Sequence, residues 1–106
     1  MSGRSPRWIQ SIVFGHLRLS ISGTTLRVNG LTKGSTYAFR IYYKHSSSGN
    51  YASTREPESG TVTLDGETWT FDASSLLTES GTYTIYVNAW NTKDNIETNT
   101  VAYAKA

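Results

Sequence analysis

Short stretches in which apolar and polar side chains alternate constrain this sequence more than any other feature. In residues 17–22 the odd positions are Leu, Leu and Ile, and Gly23 follows at once. Residues 37–44 and 83–90 show the same pattern, again with the apolar side chains on odd numbers. A period of two places one set of side chains on the core face of a strand and the other set on the opposite face. We therefore predict β-strands here, and no segment carries a helical period of useful length.

Turn signals separate these and several shorter stretches. Residues 26–28, 61–64, 68–71 and 97–104 also have strand character, and Asn29-Gly30 and Asp65-Gly66 are tight-turn dipeptides. We predict that 61–64 and 68–71 form a hairpin around Asp65-Gly66. Residues 51–60 are predicted to be irregular, because Pro57 is unsuited to a central strand. About seven short strands at this spacing favour an all-β sandwich.

Length and composition set the domain organisation and exclude several classes of protein. The chain has 106 residues, enough for one domain, and it contains no cysteine. Disulfides and thiol catalysis are thereby excluded, and a zinc site becomes improbable. No apolar run is long enough for a transmembrane helix, so we predict no membrane insertion. We assign residues 17–106 to the sandwich, and residues 1–16 to a leader, a cloning scar or an edge strand. No secretory signal is evident at the amino terminus.

Charge divides unevenly along the chain. Residues 1–55 carry eight basic side chains and no acid, whereas residues 56–106 carry eight acids and two lysines. One interpretation is that the two halves interleave as neighbouring strands, so that opposite charges pair across a sheet. Another is a dipolar domain that stacks head to tail with copies of itself. We predict no nucleic-acid partner, since no Lys/Arg cluster or binding motif accompanies the basic pI.

Two segments 46 positions apart share a pattern. Each has a leucine, a polar turn containing glycine, and a tyrosine that opens a strand: Leu31 to Tyr37, and Leu77 to Tyr83. We interpret the likeness as two strands of one domain that obey the same local physics, and a gene duplication is not needed.

The second half of the chain resembles the immunoglobulin-like repeats of large bacterial surface adhesins. The resemblance rests on the string TVTLDGETWTF at 61–71, on Leu76-Leu77 and on GTYTI at 81–85, with ISGT at 21–24 in the first half. It covers about residues 17–105, with a long insert at 44–60. Residues 31–43 are also similar to fibronectin type III domains, the near alternative. The resemblance implies an immunoglobulin-like β-sandwich of about seven antiparallel strands.

The resemblance also implies roles for individual residues. Gly81 would permit the bend before its strand, Tyr83 would place its ring in the core with its hydroxyl on a backbone group, and Trp69 would fill the space between the sheets. The sequence departs from the adhesin pattern at Asn91 and Asp94, where an acid and a glycine are expected. Such repeats bind calcium through these loops. The acids that remain here are isolated, so we predict no metal and no cofactor.

Catalytic constellations are weak in this sequence. A Ser-His-Asp triad could be drawn from His45, the serines that follow it, and Asp65 or Asp94. A serine run beside a histidine in a β-loop is far more often a solvated loop. The other histidine, His16, has no partner motif, and Glu56 and Glu58 flank a proline with no sign of a glycosidase pair. We predict no catalytic residue and no enzymatic activity.

A surface is the better candidate for function. If the odd positions of 83–90 face the core, Tyr86, Asn88 and Trp90 point outwards, as do Arg40 and Tyr42 on the strand at 37–44. The third and sixth strands of immunoglobulin-like sandwiches are neighbours, so these five residues are predicted to form one ligand-binding patch. Tyr, Trp and Arg dominate binding hot spots. The alternative interpretation is that the rings merely cover the sheet.

We therefore predict that the chain is a non-catalytic structural or adhesive module of a larger bacterial surface protein, acting as a spacer or a binding face. A phage tail, fibre or decoration domain, and a carbohydrate-binding module of a glycoside hydrolase, are the alternatives. The predicted partner is a protein or glycan surface, with adjacent copies of the chain or neighbouring domains as further candidates. The predicted location is extracellular or on the cell surface for a fragment, and in the virion for a complete chain.

Overall fold

The computed structural model describes residues 17–106, and its regular structure consists of β-strands. The assignment of residues 1–16, and the interpretation of His16, lie outside these residues. The predicted all-β sandwich is confirmed. The nine strands are β1 (Arg18–Ser22), β2 (Thr25–Asn29), β3 (Thr36–His45), β4 (Ala52–Glu56), β5 (Val62–Thr63), β6 (Thr68–Asp72), β7 (Gly81–Trp90), β8 (Asn95–Glu97) and β9 (Val101–Lys105). The described residues contain no helix long and apolar enough to cross a membrane.

The smaller sheet has three antiparallel strands in the order β1-β2-β6. β1 and β2 form a hairpin whose register pairs Ser22 with Thr25, which leaves a two-residue loop. Gly23 opens this loop with a φ of 60°, a left-handed conformation that glycine adopts without steric cost. The alternation predicted for residues 17–22 and 26–28 therefore continues directly into a tight turn.

The larger sheet is built on the two longest strands, β3 and β7, which pair along eight residues. β4 and β5 both lie against the free side of β3, one beyond the other along the strand. β8 and β9 lie in the same way against the free side of β7. The sheet thus has six strands but is only four strands wide, and β3 and β7 form its centre.

Three details of the predicted strand pattern are wrong: the hairpin at Asp65-Gly66, the irregular segment at 51–60 and the continuity of the last strand. The segments 61–64 and 68–71 do not form a hairpin: β5 pairs with β3 and β6 pairs with β2, so Asp65-Gly66 carries the chain from one sheet to the other. Residues 52–56 are not irregular but form β4. It is an edge strand that ends directly before Pro57, where a missing N–H costs no ladder bond.

The last strand is divided into β8 and β9 by a short irregular segment. Thr98 stays bonded to β7. Its N–H donates to the carbonyl oxygen of Val87 at 2.9 Å, and its Oγ1 accepts the N–H of Val87 at 3.0 Å. Asn99 turns the other way, and its side-chain amide accepts from and donates to the backbone of Leu19 in β1. This amide therefore bonds an edge of the smaller sheet to the larger one.

The core lies between the two sheets and confirms the predicted side-chain alternation. The odd positions of β7 from 83 to 89 are all at most 3% exposed, and Phe39 and Ile41 of β3 are as deeply buried. Trp69 of β6 stacks on Phe39 across the core, with ring centroids 3.8 Å apart and planes 6° from parallel. The indole thus joins the two sheets, as predicted, and it remains half-buried.

The two similar segments fold in the same way. Leu31 and Leu77 are buried, and the tyrosine that follows each one is buried as well. The hydroxyl of Tyr37 accepts the N–H of Thr32 at 3.2 Å, and the hydroxyl of Tyr83 accepts the N–H of Glu79 at 2.8 Å. Each tyrosine therefore bonds back to the connection that precedes its own strand, as in the tyrosine corner of immunoglobulin-like domains.

We predict that Tyr83→Phe destabilises the protein by about 1–2 kcal/mol, because the N–H of Glu79 loses its acceptor in a partly buried site. Chemical denaturation measures the change in the free energy of unfolding. Tyr103→Phe is the matched control, since Tyr103 lies directly opposite on β9 and its hydroxyl bonds none of residues 17–106. Equal stability losses in the two variants would contradict the role given to the hydroxyl of Tyr83.

Candidate functional site

The outer face of the larger sheet carries the residues predicted as a binding patch, and the strand register arranges them in rows. Tyr42 of β3 lies directly opposite Tyr86 of β7, and Arg40 lies opposite Asn88. The pair formed by Ala38 and Trp90 is next along the sheet. We call this surface the aromatic–arginine face, made of Arg40, Tyr42, Tyr51, Arg55, Tyr86, Asn88 and Trp90.

The first row of this face is a cluster of three tyrosines. The rings of Tyr42 and Tyr86 stack with centroids 4.7 Å apart and planes 11° from parallel. Tyr51, from the loop between β3 and β4, meets Tyr86 edge-on at 5.1 Å. Tyr51 is the one large hydrophobic residue that is exposed among residues 17–106, at 39%. The Nζ atom of Lys44 lies 6.0 Å from the centre of its ring.

The opposite end of the face is formed by Trp90. Ala38, directly across from it, belongs to the outer face yet is fully buried, which we attribute to the large indole beside this small residue. The guanidinium carbon of Arg55 lies over the indole, 5.4 Å from the ring centre. A groove of about 350 Å³ opens beside Trp90 and is otherwise lined by polar residues: Thr36, Thr61, Asn91 and Thr92.

A polar row crosses the sheet between the tyrosines and the tryptophan. Read from β4 to β8, its members are Arg55, Arg40, Asn88 and Glu97, each directly opposite the next. Arg40 donates to the hydroxyl of Ser53 at 3.2 Å. Arg55 donates to the backbone oxygens of Pro57 and Gly60 at 2.7 and 2.9 Å. The face thus alternates an aromatic cluster, a row of hydrogen-bonding groups, and a second aromatic platform.

The structure places all five predicted site residues on this one face. Their capacity to bind a ligand stays a prediction. Sequence reasoning missed Tyr51 and Arg55, because the segment that carries them was predicted to be irregular and β4 was not recognised. A signal was present in the polar run His45–Asn50, which contains the serine, glycine and asparagine typical of a hairpin connection.

The face has a measurable electrostatic signature. Desolvation raises the pKa of the Tyr86 phenol above its usual value, and the nearby Glu97 carboxylate and the other two tyrosines raise it further. At neutral pH the Tyr86 phenol is therefore protonated and able to donate a hydrogen bond. Glu97, opposite Asn88, gives one border of the face a negative charge, whereas Arg40 and Arg55 on the face and Lys44 beside it are cationic.

His45 lies at the other end of the larger sheet and is held by local hydrogen bonds. Its Nε2 is 2.7 Å from the carbonyl oxygen of Ser80, so this nitrogen carries a proton, while Nδ1 accepts the N–H of Ser47 at 3.0 Å. Gly81 is required here: its φ is 125°, and a Cβ atom would lie 2.6 Å from His45 Nε2. This confirms the glycine-dependent bend predicted before β7.

The triad drawn from the sequence is not assembled around His45. β3 and β7 pair His45 with Tyr83 at one end and Ala38 with Trp90 at the other. Asp94 follows the Trp90 end, and Asp65 follows β5, which pairs with the first residues of β3. Both acids therefore lie at the far end of ten-residue strands, which are about 30 Å long. The acid nearest to His45 is Glu79, whose Oε1 is 4.0 Å from Nδ1.

Asn91, in the loop after β7, stands where the adhesin pattern has an acid, and its side-chain amide organises this loop. The side-chain oxygen of Asn91 accepts the N–H groups of Lys93 and Asp94 at 2.9 and 2.8 Å, and its amide donates to the carbonyl of Thr36 at 3.0 Å. A carboxylate could make the first two bonds but not the third. Among residues 17–106, no three His, Cys, Asp or Glu side chains lie close enough together to hold a metal ion.

Comparisons with known proteins supply no family. No protein-family model matches the sequence, and no curated protein matches it.

Asn91→Asp should destabilise the protein by about 1–2 kcal/mol at neutral pH, because the carboxylate faces the Thr36 carbonyl without a proton to donate. Thermal or chemical denaturation measures this change. Protonation of the new carboxyl at low pH restores a donor, so part of the loss should be recovered there. A variant as stable as the original chain at pH 7 would show that the amide donor is dispensable.

We predict that stability falls when pH rises above about 10, and that Tyr86 is one cause. A group whose folded-state pKa is raised stabilises the fold fully below its unfolded-state pKa, and this contribution is lost as pH rises through the folded-state pKa. Equilibrium unfolding between pH 8 and pH 12 should show a smaller alkaline loss for Tyr86→Phe than for the original chain. Identical alkaline profiles would contradict the burial effect.

Proposed function

We propose that this chain is a non-catalytic adhesive module that binds a glycan surface through the aromatic–arginine face. The observation that carries the proposal is the layout of that face, where aromatic rings stand on both sides of a row of arginine and asparagine side chains. Aromatic rings offer flat apolar surfaces, and the polar row offers donors and acceptors between them. Arg, Tyr and Trp are the residues that most often dominate binding energy.

A saccharide suits this arrangement better than a deeply bound small molecule. The face is a broad sheet surface, and the groove beside Trp90 combines one aromatic wall with threonine hydroxyls and an asparagine. A sugar ring presents an apolar C–H face for stacking and hydroxyl groups at its rim for hydrogen bonding. The amide of Asn88, between Arg40 and Glu97 in the polar row, can both donate and accept.

The strand order bears on which sandwich family the chain is closest to. In constant-type immunoglobulin domains the fourth strand lies in the same sheet as the first, second and fifth. Here β4 pairs with β3 in the larger sheet instead. This favours the fibronectin type III-like alternative over the constant-type arrangement. The adhesin resemblance and the place of the module in a larger bacterial surface protein remain part of the proposal.

A glycan array probed with the full chain tests the proposal. We expect binding to a subset of glycans, and we expect Trp90→Ala and Tyr86→Ala each to weaken it at least tenfold, because each removes an aromatic platform. Thr70→Ala is the control, since Thr70 is exposed on the smaller sheet. The melting temperature of each variant must also be measured, so that the array is probed at a temperature at which every variant is folded.

Two results would contradict the proposal. One is glycan binding that survives in both folded aromatic variants, which would move the binding site elsewhere. The other is the absence of binding to any glycan by a folded chain at micromolar concentration. Tyr86→Phe adds a finer measurement: it keeps the stack on Tyr42 and removes only the hydroxyl, so it should retain more binding than Tyr86→Ala.

A further inference from the structure

Two arginines stand directly opposite each other on the aromatic–arginine face. The register of β3 and β4 pairs Arg40 with Arg55. Side chains at such positions share one face, with Cβ atoms about 5 Å apart, and like charges there are destabilising. Within residues 17–106 neither guanidinium has a carboxylate oxygen within 4.0 Å. Glu56, the residue next to Arg55, belongs to the inner face, since it pairs with Phe39.

The protein holds this unfavourable pair in place with neutral hydrogen-bond acceptors. Arg55 is fixed by the two backbone carbonyls of the loop after β4, and by the indole of Trp90 beneath it. Arg40 is fixed by Ser53, the residue of β4 opposite Tyr42, so the two guanidinium groups are anchored toward opposite ends of the face. These bonds use two of the five N–H donors of Arg55 and one of the five of Arg40. Both arginines are half-buried, so water screens their charges less than at a fully exposed site.

The arrangement fits an anionic group better than a neutral one. A carboxylate or sulfate over this row would accept charge-assisted hydrogen bonds from the free N–H donors of the arginines and would offset their like charges. Because the arginines are already positioned, such a ligand would not have to order them. Trp90 and Tyr42 lie on either side of this row, at the distance of neighbouring rows in the sheet.

We propose that the ligand of this face is an acidic saccharide, whose carboxylate or sulfate binds over the row of Arg40 and Arg55 while a sugar ring packs on Trp90 or Tyr42. This inference rests on the proposed glycan-binding function and narrows it to anionic sugars. The aromatic surfaces beside the two cations are the reason for preferring a saccharide over a simple inorganic anion.

The experiment measures the affinity of the full chain, by calorimetry at fixed salt, for three glycan probes. They are an oligogalacturonate, a sulfated dextran fragment and neutral maltohexaose. We expect at least one acidic probe to bind tenfold or more tightly than the neutral probe. Arg40→Gln should remove most of that preference, because glutamine keeps a polar side chain with N–H donors but carries no charge.

Two further variants separate a specific site from general attraction to a basic protein. Arg27→Gln is the matched control: Arg27 is exposed on the smaller sheet and its loss lowers the net charge equally. Its affinity for the acidic probe should change less than twofold. Glu97→Gln removes the acid at the end of the polar row and should strengthen binding of the acidic probe several-fold.

The outcomes distinguish this inference from the function on which it rests. Binding of maltohexaose as tight as that of the acidic probes, lost in Trp90→Ala but kept in Arg40→Gln, would support glycan binding and overturn the anionic ligand. Equal losses in Arg40→Gln and Arg27→Gln would show attraction to net charge only. Tighter binding of a poly-glutamate peptide or of a thymidine decanucleotide, at equal charge, would overturn the choice of a saccharide.

Discussion

The register between β3 and β7 is the constraint on which the rest of the structure depends. It sets Ile41 beside Val87 on the inner face and Tyr42 beside Tyr86 on the outer face. A slip of one residue would exchange the two sets, placing phenol and guanidinium groups in the core and leaving aliphatic side chains in water. The same pairing therefore decides both what is buried between the sheets and what can meet a ligand.

A few side chains hold the sandwich together by bonding or stacking across different strands and connections. Trp69 stacks on Phe39 across the core, and the two tyrosine corners bond each long strand to the connection before it. Asn99 joins the edges of the two sheets through the backbone of Leu19. None of these contacts involves the outer face of the larger sheet. Substitutions on that face should therefore cost little stability, so that their effect on ligand binding can be measured in folded variants.

The basic and acidic halves of the chain do interleave as neighbouring strands, but in the part of the chain that the structure describes their charges do not pair across the sheets. β2 lies beside β6 and β3 beside β7, as the interleaved interpretation predicts. Yet within residues 17–106 no Lys or Arg side chain lies within 4.0 Å of a carboxylate oxygen, and the one contact at that distance joins Nδ1 of His45 to Glu79. Three cations of the first half, Arg40, Lys44 and Arg55, are instead gathered on one face, because β3 pairs with β4 and all three residues come from the acid-free part of the chain.

Local alternation alone determined the two long strands, the buried face of each one and the tyrosine near its start. A period of two in the sequence specifies which side chains share a face, whichever strand pairs with that segment. It also indicated the outward positions of Tyr86 and Trp90. Tertiary structure alone decided the partner of each short strand: β5 joins β3 and not β6, because the two-residue strand completes the ladder that β4 leaves unfilled. The juxtaposition of Arg40 and Arg55 was equally inaccessible to sequence reading, because it depends on recognising an edge strand whose polar sequence shows little alternation.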